Sequence, residues 1–118
     1  MDSLYARTGF DISRTITRNY STSFFSAVNL LAKDIREAIF GIYGFVRLAD
    51  EIVDSFTDYD RQYLLNRFEQ DYAEAIQQGI STNPVINAFE LTVRKYRIDR
   101  HLIEAFLKSM RADLSHPG

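Results

Sequence analysis

Tyr43, Arg47, Asp50 and Asp54 stand at successive steps of four, three and four residues. On a helix that spacing brings all four to one face, each about one turn from the next. Two carboxylates one turn apart can hold a hard cation. Mg²⁺ suits them, because it takes oxygen ligands, keeps several waters and is often shared between one or two protein carboxylates and substrate phosphates. Arg47, one turn before Asp50, can hold that carboxylate in place or grip a phosphate oxygen. The same residues also allow a plainer arrangement, an Arg47–Asp50 ion pair with Glu51 and Asp54 in water. Ionised groups are seldom buried without partners, since their desolvation is expensive. The surroundings of the stripe therefore carry weight.

Those surroundings are apolar. The pattern predicts a helix from Ile35 to about Phe56, with Asp34 as its N-cap and Glu37 completing a capping box. Ile35, Ile39, Ile42, Val46, Ala49 and Val53 form one apolar stripe, while Phe40, Phe45, Leu48 and Ile52 cover other faces. A helix apolar almost all round belongs inside a larger bundle. Gly41 and Gly44 lie within it, where each costs about 1 kcal/mol relative to alanine; close helix packing is the expected reason. The longest apolar run, residues 38–46, ends at Arg47, far short of the roughly 20 residues that span a bilayer.

Helical spacing governs the remaining chain, and no run alternates as a strand does. Phe10 to about Tyr20 reads as a first helix, with Arg14 and Arg18 one turn apart, and Ser23 to Leu31 as a second. After a turn over Thr57–Asp60, with Asp58 and Asp60 in solvent, a helix uses Leu64, Leu65, Phe68, Tyr72 and Ile76 and stops at Gly79. Asn83-Pro84 gives a cap followed by proline in the first turn, leading into Val85, Ile86, Phe89, Val93 and Tyr96. Asp99 caps a last helix carrying Leu102, Ile103, Phe106, Leu107 and Met110. Neither a repeat nor a long linker interrupts the series, so residues 1–118 are expected to form a single all-α helical bundle.

Composition narrows the chemistry. The 118 residues, 46% hydrophobic and 25% charged, suit one globular domain. The net charge of -2 argues against broad attraction to nucleic acid. There is no cysteine, which excludes thiolate zinc sites and cysteine nucleophiles and suits a cytoplasmic setting. The opening residues lack the charged start and apolar stretch of a signal peptide. His101 and His116 match no metal spacing.

Taken together, the segments Tyr20-Ser21-Thr22-Ser23-Phe24-Phe25, Arg36-Glu37-Ala38-Ile39, Ile42-Tyr43-Gly44-Phe45 and Arg47-Leu48-Ala49-Asp50-Glu51-Ile52-Val53-Asp54 resemble the squalene/phytoene synthase family. The family pattern is a Ser-x-Ser-Phe element followed, after a spacer, by an arginine and an aspartate-rich DxxxD motif. Met110-Arg111-Ala112-Asp113-Leu114 is similar to the family's Met-x-x-Asp-Leu stretch. The resemblance implies the front portion of an isoprenoid-synthase fold and the head-to-head joining of two prenyl diphosphates, farnesyl or geranylgeranyl, through a cyclopropyl diphosphate intermediate. It further implies that Asp50 and Asp54 ligate Mg²⁺ on the substrate diphosphate. Ser21, Ser23 and Arg47 would hold diphosphate, while Phe24 and Tyr43 line the prenyl cavity. An apolar product gives such an enzyme reason to sit peripherally at a membrane.

Family enzymes carry a second aspartate-rich motif on a later helix, which is not found before Gly118. Asp71 and Asp113 do not replace it, because neither has a second aspartate one turn away. The chain is therefore expected to be a truncated synthase domain, inactive alone and self-associating, with Phe40, Phe45 and Ile52 near the contact. Plainer roles stay open beside these: Ser21 and Ser23 as helix caps, and Phe24 and Phe25 as core. At the level of the whole chain, the alternatives are a non-catalytic helical interaction module, one subunit of a split synthase, or another terpenoid synthase.

Overall fold

The computed structural model describes residues 3–115, so His116 lies outside it. Six helices follow in order: α1 (Leu4–Tyr20), α2 (Thr22–Val28), α3 (Lys33–Ser55), α4 (Arg61–Gln78), α5 (Pro84–Tyr96) and α6 (Arg100–Ser115). The expected all-α architecture is present, and most helix ends have a local cause. Asp60 caps α4 by accepting from the Tyr63 N–H at 3.0 Å. Gly79 ends that helix in the left-handed region at φ 76°, which glycine enters without a Cβ penalty. Asn83 caps α5 by accepting from the Val85 and Ile86 N–H groups, with Pro84 in the first turn. Asp99 accepts from the His101 N–H at 2.9 Å just before α6.

Three expected boundaries are corrected. α1 begins at Leu4 rather than Phe10, because the Ser3 hydroxyl accepts from the Ala6 N–H at 3.1 Å and caps it early. α2 stops at Val28 rather than Leu31, and Leu30 and Leu31 turn back through bonds to the Ala27 and Val28 carbonyls. Asp34 does not cap α3. Ala32 takes that place without a side-chain bond, and Asp34 sits inside the first turn, where its charge meets the positive end of the helix dipole. With Lys33 and Asp34 already helical, the register needed for the capping box is lost.

The apolar core is drawn from α3, α4, α5 and α6. Phe45 is its centre, with ring centroids 3.9 Å from Phe89, 4.9 Å from Phe68 and 5.3 Å from Tyr72. Leu65, Ala75, Ile86, Val93 and Ile103 close around this aromatic group. The predicted inner residues of α4, α5 and α6 are mostly where expected, although Tyr96 and Leu102 are exposed.

α1 packs differently. Its buried face is Ala6, Gly9, Ser13 and Thr17, while its large residues Leu4, Tyr5 and Ile12 face outward. A Cβ on Gly44 would meet Ser13 Oγ at 2.7 Å, and one on Gly41 would meet Thr92 Oγ1 at 2.7 Å. Likewise, a Cβ on Gly9 would meet the Pro84 carbonyl oxygen at 2.5 Å, leaving no room for any side chain. The expected reason for Gly41 and Gly44 is therefore the observed one: α1, α3 and α5 approach to backbone distance.

That close approach turns α3 away from its expected orientation. Its innermost residues are Phe40, Gly41, Gly44, Phe45, Ala49, Ile52 and Val53. Of the expected stripe, Ile35 is exposed and Ile39, Ile42 and Val46 are only half-buried. Phe40, Phe45 and Ile52 are themselves buried inside the chain, although Phe45 still borders open apolar surface. A groove of about 210 Å³ along Ile42, Val46, Ile98, Leu102 and Phe106 is left open.

Candidate functional site

The polar stripe runs along the part of α3 that no other helix fully covers. Arg47 and Asp50 are partly buried, with side chains 22% and 32% exposed and a closest N–O approach of 3.9 Å. Asp54, one turn on, is exposed. The nearer partner of Arg47 is Glu51, whose Oε2 accepts from Nη2 at 3.4 Å while its side chain stays only 17% exposed. Glu51 is therefore not the solvated acid of the plainer sequence reading.

Two aromatic residues frame the arginine and its neighbour Tyr43. The α1–α2 junction brings Tyr20 alongside α3, and the Arg47 guanidinium lies over its ring, 4.6 Å from the centroid. Such placement attracts the cation to the ring face. One turn earlier on α3, Tyr43 stacks on Phe24 of α2 at 5.4 Å. Phe24 itself is half-exposed. Ser21 caps α2, its hydroxyl accepting from the Phe24 N–H at 3.4 Å; as acceptor it keeps its own O–H free to donate. Ser23 is exposed on the same short helix. The structure thus joins Phe24 to Tyr43 and Arg47 to Asp50. It shows no direct bond from either serine to the aspartates.

Electrostatics mark Asp50 as strained for charge. Burial pushes its carboxyl above the usual range, Arg47 pulls it down, and the charges of Asp54 and Asp113 push it up again. Glu51 behaves oppositely: hydrogen bonding from Ser55, then from Tyr20, with Arg47 adding to it, holds its carboxyl below the ordinary value. Tyr20 is raised in turn, chiefly through its bond to Glu51. Arg47 Nε is buried and has no hydrogen-bond partner, although a buried donor normally has one.

Among the described residues, no three His, Cys, Asp or Glu side chains gather closely enough to cage an ion. Asp50 and Asp54 fit a different kind of site. Two carboxylates on one face, one of them disfavoured as an anion chiefly by burial, suit a cation that takes its remaining ligands from waters and a phosphate. Asp50 and Asp54 are the residues that could share such a cation.

Sequence reasoning passed over three contributors. Tyr20 was a member of a motif without a role, Glu51 was assigned to solvent, and Asp113 was read within the Met-x-x-Asp-Leu stretch and rejected as a second aspartate motif, with no part beside Asp50. The usable signal for Glu51 was its place four residues after Arg47, a spacing that pairs side chains on a helix. Asp113 comes near Asp50 only through the packing of α6 on α3, which no local pattern encodes.

The chain is also similar to known proteins. The chain is 30% identical over 95 residues to a presqualene diphosphate synthase of Rhodopseudomonas palustris, covering 79% of this chain and 33% of that one. It is 28% identical over 107 residues to a phytoene synthase of Arthrospira platensis, covering 90% and 34%. Its fold matches the crystal structure of squalene synthase HpnC from Alicyclobacillus acidocaldarius with a TM-score of 0.77 at 27% identity, covering 94% of this chain and 40% of that one. The chain thus spans about a third of the length of these two curated relatives. The squalene/phytoene synthase pattern itself matches residues 17–117. The match of that pattern across most of the sequence, on an all-helical fold shared with a squalene synthase, places the chain in the squalene/phytoene synthase family.

Proposed function

We propose that the chain supplies the diphosphate-binding wall of a head-to-head prenyl synthase, acting on farnesyl or geranylgeranyl diphosphate to give a squalene- or phytoene-like product. The observation that carries this reading is Arg47, partly buried beside Asp50 with its Nε–H unpartnered. A guanidinium partly exposed next to a carboxylate pair is placed to take an incoming phosphate oxygen. Ionisation of a prenyl diphosphate leaves an allylic cation and an anionic leaving group. Arg47, with Mg²⁺ on Asp50 and Asp54, would stabilise the departing anion. Phe24 and Tyr43, stacked beside them, would shield the cation from water. Ser21 retains a free O–H for the diphosphate, and Ser23 is accessible to it.

Arg47→Lys tests the assignment. Lysine keeps the charge but loses the planar fork. Affinity for a non-hydrolysable prenyl thiodiphosphate should fall roughly tenfold, the worth of about one charge-assisted hydrogen bond, with little change in melting temperature. A collapse of thermal stability with undiminished analogue affinity would establish Arg47 as a structural residue instead.

A second reading, that of a helical interaction module, is favoured by one feature. The groove along Ile42, Val46, Ile98, Leu102 and Phe106 leaves apolar surface in contact with solvent, which monomers seldom tolerate on a large scale. A second copy covering this groove would give a dimer by light scattering at micromolar concentration, and Leu102→Asp would return it to monomer. A wild-type monomer at that concentration would remove the support for this reading. No helix among the described residues is long and apolar enough to cross a membrane.

A further inference from the structure

We propose that Glu51, the acid immediately after Asp50, is a positioning residue that holds the Arg47 guanidinium edge-on to the diphosphate site and away from Asp50. The inference rests on the reading of Arg47 as a diphosphate ligand. Its own basis is the geometry around the guanidinium. Glu51 Oε2 takes the Nη2 edge at 3.4 Å, and the Tyr20 ring takes one face at 4.6 Å. Nη1 stands 3.9 Å from Asp50, a loose approach, and Nε is buried and vacant.

The roles divide by position on the helix. Asp50 and Asp54 are one turn apart, whereas Glu51 lies about 100° further round from Asp50. It does not gather with the pair into a three-acid cluster among the described residues, and it stands one turn above Arg47. Arginine is a long side chain with much rotamer freedom to lose. A carboxylate on one edge and an aromatic face beneath reduce that freedom before any ligand arrives, the general route by which preorganisation raises affinity. Without Glu51, the nearest anion for Arg47 is Asp50. Closing that 3.9 Å gap would neutralise the carboxylate that the cation needs and withdraw the arginine from the phosphate. One substitution would then weaken both arms of the site.

The test uses Glu51→Gln, Glu51→Asp, Arg47→Lys and the double substitution E51Q/R47K, with Mg²⁺ and inorganic pyrophosphate as probes. A partly exposed ion pair one turn apart contributes little to stability, so melting temperature should barely move. The Arg47 Nε–H resonance should be sharp in the wild type and exchange-broadened in E51Q. Pyrophosphate affinity in Mg²⁺ should fall about tenfold in E51Q, the low end of what partners of ligating groups are worth, and E51D should recover part of it. The double variant should bind no worse than R47K, since Glu51 acts only through Arg47. An unchanged Nε–H signal in E51Q, or additive losses in the double variant, would overturn the proposal. Absence of pyrophosphate binding by the wild type would instead sink the diphosphate reading of Arg47, and the resonance comparison would still decide whether Glu51 holds it.

Discussion

Asp50→Asn and Asp54→Asn should each lower turnover of a prenyl diphosphate by about a hundredfold or more in the full-length enzyme, the scale of losing one group that stabilises transition-state charge. Asparagine preserves size and shape but removes the negative charge that binds a hard cation. The far-UV circular dichroism should stay unchanged, because neither side chain packs in the core. The structure separates the two variants further. Asp50 is pushed toward its neutral form by burial and by Asp54 and Asp113, so Asp50→Asn relieves an unfavourable charge. It should therefore hold or slightly raise thermal stability while losing activity. Asp54 is exposed, and its replacement should leave stability alone. Wild-type turnover in either variant would sink the magnesium assignment. A loss of both helicity and activity in Asp50→Asn would point to the Arg47–Asp50 pair as structural.

The helices that the sequence made legible are those with long side chains on one face. Leu65, Phe68 and Tyr72 on α4 and Ile86, Phe89 and Val93 on α5 repeat at three- and four-residue steps and are all buried. Two of the helix-end signals were legible for the same local reason, since Gly79 and Asn83 each act within four residues of their own position, whereas Asp60, expected as a solvated turn residue, caps α4. What was not legible was packing through absent side chains. Gly9, Ser13 and Thr17 bury a face with almost no hydrophobic signal, because backbone proximity rather than apolar area holds α1 to α3 and α5. The candidate site divides along the same line. Tyr43, Arg47, Asp50 and Asp54 share one helix, so their spacing was enough. Tyr20, Phe24 and Asp113 reach that face from three-dimensional packing, and only the resemblance to a family had placed Phe24 there.

The orientation of α3 is where the two descriptions differ most, and a pair of truncations decides between them. Phe45 is fully buried, at 0% exposure, whereas Ile35 is 50% exposed. Phe45→Ala should destabilise the protein by about 3 to 5 kcal/mol, the transfer free energy of the ring plus the cavity it leaves. The cavity resists collapse, because Phe89, Phe68 and Tyr72 are rigid rings anchored on two other helices. Ile35→Ala should cost no more than about 0.5 kcal/mol, as surface substitutions usually do. Had α3 turned its isoleucine stripe inward, the order would be reversed, with Ile35 costly and Phe45 tolerant. Urea denaturation of both variants measures the difference directly, since an unchanged slope with a shifted midpoint reports stability alone. A Phe45→Ala loss below about 1 kcal/mol, or an Ile35→Ala loss equal to it, would refute the packing of α3 described here. It would also move Arg47 and Asp50, which lie on the same helix, away from Tyr20 and out of the arrangement that makes them a site.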